Sequence, residues 1–182
     1  MKPLDLLENI EHYRKLFTSV AFWEPYVQEV CRRHNLVKRE PVRIGVPGTC
    51  PTFIVGERWV IKFFGRLFEG QTAFLVEREA GRLVALDPAI PAAQVVAHGE
   101  LGSEGWSWPY LIYPFLPGIS VGELADHISE EDWLRIAHEL GQMIKRLHAL
   151  PLEGSPVFPD NLSAYSRFLE TQRATCTANQ RE

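Results

Sequence analysis

Two ionisable side chains stand where apolar ones are expected, and they set the chemistry open to this sequence. Lys62 lies inside the run Trp59-Val60-Ile61-Lys62-Phe63-Phe64. Strand alternation places Val60, Lys62 and Phe64 on one face. An ammonium among such neighbours needs either a partner or an outlet to water. Glu79 follows in a segment whose helical spacing puts Leu75, Glu79, Leu83 and Leu86 on one face, with Glu77, Arg78 and Arg82 turned toward water. Taken singly, Lys62 reads as an edge-strand lysine reaching solvent and Glu79 as a solvated helix glutamate. Taken together they predict an ion pair, made as the helix packs back onto the sheet. Such a pair adds little stability, but it fixes an ammonium where nucleotide phosphates can sit.

Two backbone segments fit around that pair. Gly45-Val46-Pro47-Gly48-Thr49-Cys50 lets amides approach an anion closely. It is equally a plain turn between strands, and it lacks the Gly-Lys-Ser/Thr ending of a Walker loop. Tyr113-Pro114-Phe115-Leu116-Pro117-Gly118 offers an adenine one carbonyl, from Pro114, and one N–H, from Leu116. The plainer reading is a strand that ends in a Pro-Gly turn. His98, His138 and His148 show no metal spacing with any cysteine or acid.

The elements that position these residues form an α+β pattern. Apolar spacing predicts helices over 4–36, interrupted near Thr18-Ser19 and Pro25. Short β-rich runs follow at 42–44, 52–55 and 59–64, the last two joined at Gly56-Glu57 by a tight hairpin. A helix is expected over 72–86 with Thr72 as cap. A fourth strand is expected at Val95-Val96, then a turn-rich insert over 99–107 and a fifth strand over 108–115. Residues 129–150 form the strongest helical pattern, capped by Ser129 and striped by Trp133, Ile136, Ala137, Leu140, Ile144 and Leu147. The tail after Phe158 is weakly helical. The order predicts a protein-kinase-like N-lobe, a five-stranded antiparallel sheet plus a helix, over 41–116. A helical extension precedes it over 1–40, and the first helices of an α-helical C-lobe follow over 117–182.

Composition narrows the classes. The chain has 182 residues, 46% hydrophobic and 23% charged, a globular balance. The net charge of −4 argues against a nucleic-acid partner. Three cysteines without metal or disulfide spacing point to a reducing, cytoplasmic setting. No apolar run approaches the ~20 residues that cross a bilayer.

These residues together resemble a known family. Trp59-Val60-Ile61-Lys62, Val76-Glu77-Arg78-Glu79 and Leu140-Gly141 through Leu147-His148 follow the pattern of the aminoglycoside phosphotransferases. Phe22-Trp23-Glu24-Pro25, Val46-Pro47-Gly48 and Trp108-Pro109-Tyr110-Leu111 bring it near the hygromycin B phosphotransferases of the actinomycete type. The resemblance implies ATP as cosubstrate, an aminoglycoside as acceptor, and a nucleotide site of Lys62, Glu79, Gly48, Thr49, Val60, Tyr113, Pro114 and Leu116. In it, Lys62 would hold the α- and β-phosphates and Glu79 would position Lys62. The family's His-Gly-Asp-x-x-x-x-Asn loop, which supplies the base and a magnesium ligand, has no counterpart here. Asp160-Asn161 follows the helix too closely and lacks His-Gly. The expectation is therefore a chain that stops within the C-lobe, binds nucleotide without turnover, and has a magnesium site only with residues it lacks. Two alternatives stay open: a non-catalytic nucleotide-binding or interaction module, and a kinase of another small alcohol such as choline or homoserine.

Overall fold

The computed structural model describes residues 4–36, 40–46, 48–103, 106–158 and 161–179. Pro47 and Asp160, singled out above, lie outside them. After a 3-10 turn at Leu4–Glu8, α1 (Ile10–Leu16) and α2 (Val20–Arg33) form an N-terminal layer. The break between them is at Ser19, whose hydroxyl accepts from the Phe22 amide and caps α2. Pro25 does not break the chain; it lies inside α2.

Five strands make one antiparallel sheet in the order β1-β2-β3-β5-β4. They are β1 (Val42–Ile44), β2 (Thr52–Val55), β3 (Trp59–Phe63), β4 (Ala97–Ser103) and β5 (Trp106–Pro114). The β2–β3 hairpin turns on Gly56 and Glu57, both at positive φ (56° and 52°), the requirement of the tight turn that glycine favours. Contrary to expectation, Val95-Val96 is not the fourth strand. That strand starts at Ala97 and takes up most of the supposed insert, pairing Gly99 with Tyr110 and Leu101 with Trp108. Gly99 serves packing rather than turning: a Cβ on it would stand 2.5 Å from the Tyr110 hydroxyl.

The pleat sorts side chains into two layers. Phe53, Val55, Ile61, Phe63, Tyr110 and Ile112 point to one face, where α1 and α2 cover them with Tyr13, Trp23, Tyr26 and Val30. Trp23 is fully buried there, its ring 4.7 Å from that of Phe63 and 5.3 Å from that of Trp108. Thr52, Ile54, Val60, Lys62, Phe64, Leu111 and Tyr113 point to the other face. Phe64 and Leu111 close a second, smaller core with Phe74 of α3 (Gly70–Val84). The helix begins two residues before the expected Thr72 cap. Glu69, in left-handed geometry and without a side-chain cap bond, leads into it. Gly70 is required here, since a Cβ would fall 1.8 Å from the Gly65 carbonyl oxygen.

Beyond the sheet lie the short α4 (Val121–Leu124), α5 (Glu130–His148) and α6 (Leu162–Asn179). Ser129 caps α5 as expected, accepting from the Asp132 amide, and Glu130, Glu131 and Asp132 occupy its positive end. An Arg146–Asp87 ion pair at 3.1 Å ties α5 to the segment after α3. The whole is the α+β class read from the sequence: a five-stranded antiparallel sheet with a helix on it, followed by a helical part.

Candidate nucleotide site

On the α3 face the sheet forms an open cleft of about 390 Å³. Its floor is Thr52 and Ile54 of β2 with Val60 and Lys62 of β3. Gly45 and Val46 border it on the loop side, and Tyr113, Pro114, Phe115 and Leu116 at the end of β5. Larger grooves exist between α3, α5 and α6 and beside α4 and α5, about 530 and 970 Å³. The first is lined almost wholly by apolar side chains and the second lies along the exposed side of α5. Only the smaller cleft gathers a lysine, a carboxylate, a phenol and an open strand end.

Lys62 is half-buried, and its partner is Glu77, not Glu79: Nζ lies 2.5 Å from Glu77 Oε2. The other oxygen, Oε1, accepts from the Tyr113 hydroxyl at 2.6 Å. The expected Lys62–Glu79 pair is thus overturned, for a reason of helical phase. Phe74 packs on Phe64 at 5.6 Å between ring centroids, and Gly81 abuts Val95, so the 74–77–81 stripe faces the sheet. Glu77 falls on that stripe, whereas Glu79 points about 200° away around the helix. There Glu79 is 7% exposed and takes both oxygens to Arg82, at 2.7 and 2.9 Å. The Arg82 bonds, opposed by burial and helped by Ser155, hold its carboxyl below the usual range. The sequence reading turns Glu77 toward water because leucines alone define its apolar face. The wider stripe of Phe74 and Gly81, with glycine allowing close approach, is the signal that finds it.

Tyr113 is held protonated: burial, then the hydrogen bond and charge of Glu77, push its phenol well above the ordinary tyrosine value. It therefore stays a donor to the carboxylate. The Lys62 ammonium also lies 5.3 Å from the centroid of the Phe64 ring. One oxygen of Glu77 and one aromatic face hold this cation, and the cleft side of it stays open.

At the strand end, Phe115 donates to the Arg58 carbonyl at 2.8 Å, and Trp59 pairs with Pro114. Antiparallel ladders alternate, so Pro114 occupies a position where β3 takes no N–H from it, and its proline nitrogen costs no bond. On the other side β4 reaches only to the partner of Ile112. The Pro114 carbonyl and Leu116 amide therefore have no strand beside them. Thr52 and Lys62 are cross-strand partners, which brings the loop before β2 next to the ammonium. Gly48 and Thr49 sit at the exposed tip of that loop, and Gly45 and Val46 line the cleft instead. Among the described residues no group of three or more His, Cys, Asp or Glu stands close enough to hold a metal ion.

A cation clasped by a helix carboxylate stands beside an open strand end and a glycine-containing loop, an arrangement with positive charge and free backbone groups to offer an anionic ligand. Residues 51–181 match the phosphotransferase enzyme family (APH). The match takes in β2, β3, Lys62, α3, the end of β5 and the helices beyond, well over half of the sequence, and the chain belongs to this phosphotransferase family.

Proposed function

We propose that the chain is the ATP-binding part of a phosphotransferase that phosphorylates a hydroxyl of an aminoglycoside, hygromycin B foremost. The Lys62–Glu77–Tyr113 arrangement on the cleft floor carries this reading. In it the Lys62 ammonium meets the α- and β-phosphates and Glu77 holds it in place. Adenine lies against Val60 and bonds to the Pro114 carbonyl and the Leu116 amide. The loop tip with Gly48 and Thr49 covers the phosphates. ATP supplies the phosphoryl group, and the protein's share is to position it and to offset its charge. The site works where ATP is abundant, which points to the cytoplasm. No helix among the described residues is long and apolar enough to cross a membrane.

The sequence contains no His-Gly-Asp-x-x-x-x-Asn run to take the acceptor proton. We therefore propose nucleotide binding without turnover by these 182 residues. That absence also favours a second reading, a module that binds nucleotide and transfers nothing. Calorimetric titration of ATP into the wild-type chain and Lys62→Ala tests the site. Wild-type binding with a loss of ten-fold or more in the variant is expected, and unchanged affinity overturns the reading. Labelled phosphate appearing on hygromycin B with this chain as sole enzyme would overturn the absence of turnover.

A further inference from the structure

The loop over the cleft is held from outside the sheet. Tyr13 of α1 is 4% exposed, and its hydroxyl donates to the Thr49 carbonyl at the loop tip. The same ring stacks on Phe17 at 5.5 Å and meets Phe68 edge-on at 5.6 Å between centroids. Phe68 lies in the turn that launches α3, in left-handed geometry at φ 62°. That backbone is unfavourable for a bulky residue and persists only where its surroundings hold it. One side chain thus touches both segments that flank Lys62 and Glu77: the loop on one side and the entry to α3 on the other.

The loop has little else to fix it. Its last ladder bond runs from the Gly45 amide to the Thr52 carbonyl. The Thr52 hydroxyl donates back to the Cys50 carbonyl at 3.1 Å. Gly48 and Thr49 are exposed, and a Cβ on Gly48 would meet nothing within 4 Å. Among the described residues none accepts from the amides of Gly48, Thr49 or Cys50. With its carbonyl side tied to Tyr13, the tip keeps these donors unspent for an anion. The family match begins at residue 51, so Tyr13, α1 and the loop all lie before it.

We propose that Tyr13 is a positioning residue of the nucleotide site: its hydroxyl pre-orders the Gly48–Cys50 tip for the phosphates while its ring steadies the start of α3. The proposal rests on the nucleotide reading above. A loop already ordered loses less freedom on binding. The benefit is confined to ligands that carry phosphate, since adenine and ribose contact the other end of the cleft.

Tyr13→Phe keeps the ring and its packing and removes only the donor to a carbonyl in an exposed loop, so the variant folds. ATP and adenosine are titrated into wild type, Tyr13→Phe and, as a packing control, Phe17→Leu. A lost hydrogen bond to an ordered loop corresponds to roughly a three-fold to ten-fold weakening. The expected result is that weakening for ATP in Tyr13→Phe, with adenosine affinity within two-fold of wild type. Phe17→Leu lowers the melting temperature but keeps the wild-type ratio of ATP to adenosine affinity. Amide exchange supplies a second reading: ATP slows exchange of the Gly48 to Cys50 amides in wild type, and slows it less in Tyr13→Phe at the same ATP concentration. An unchanged affinity ratio in Tyr13→Phe, or an equal change of that ratio in Phe17→Leu, overturns the proposal while leaving the nucleotide site standing. Failure of the wild-type chain to bind ATP overturns both.

Discussion

Glu77 and Glu79 differ by two positions and by everything that surrounds them. Glu77 shares its two oxygens between an ammonium and a phenol in the cleft, and Glu79 gives both of its own to Arg82 on the side away from the sheet. Neutralising each tests the assignment directly. Glu77→Gln keeps an acceptor for Tyr113 but loses the charge that holds Lys62, so ATP affinity is expected to fall roughly ten-fold. Glu79→Gln should leave ATP affinity within two-fold and instead lower the melting temperature, because a nearly buried carboxylate bonded to Arg82 is replaced. Reversal of the two effects in parallel calorimetry and thermal melts would return the role to Glu79. Lys62 was legible because an ammonium inside an apolar strand has few explanations. Its partner was not, because the face of α3 that meets the sheet is marked by one aromatic ring and one glycine rather than by a run of leucines. Tyr113 was placed at the site from sequence, but its bond to Glu77 required the cross-strand pairing of Tyr113 with Val60.

At the scale of elements, the sequence disclosed what local chemistry dictates. The β2–β3 turn at Gly56-Glu57, the Ser129 cap and the break before α2 stand where they were expected, since each is set by a few adjacent residues. Strand β4 is hidden in the sequence because Gly99 and Gly102 read as turn formers. The reason for Gly99 is tertiary, as the Tyr110 hydroxyl fills the space its side chain would need. The last turn of α2 shows how an element is tied to the sheet. Glu29 bonds Arg32 and Arg33 at 2.8 Å each, and Arg33 reaches on to the Glu100 carbonyl of β4 at 2.7 Å. Hydrogen bonds from Arg32, then Arg33, lower the Glu29 carboxyl to about 2, from an ordinary 4.5. A carboxyl lowered in the fold stabilises it above the unfolded value and loses that contribution as pH falls through the folded one. The stability gap between wild type and Glu29→Gln should therefore be full at pH 7, shrink between about 4.5 and about 2, and vanish below. Urea melts at stepped pH measure it, and a gap independent of pH over that window would show that the arginines do not perturb Glu29.

The whole molecule has two unlike halves. The sheet is sealed on one face by the N-terminal layer, in which Trp23, Val27 and Val30 are fully buried, and it is half-open on the other, over the Lys62 cleft. The sequence hinted at the first half through helical periodicity but gave no register for it, because aromatic packing of Trp23 against Phe63 and Trp108 joins residues far apart in the chain. The second half is organised differently. No residue of the 19-residue α5 is buried, although its apolar stripe was the plainest in the sequence. Leu140 is 56% exposed, Ile144 50% and Leu147 47%. The Arg146–Asp87 pair ties the helix to the segment after α3, and the stripe adds no buried residue to that attachment. An apolar surface of this extent tends to associate. Light scattering over a concentration series should accordingly show the chain self-associating, more strongly in sulfate, which strengthens apolar association, than in dilute buffer. Placing charges on the stripe with Leu140→Lys and Ile144→Glu should shift it toward monomer while leaving ATP affinity unchanged, because the stripe lies outside the cleft. A wild-type chain that stays monomeric at every concentration would mean that the stripe is covered in solution by a rearrangement of α4, α5 and α6, and the exposure described for those helices would then be wrong.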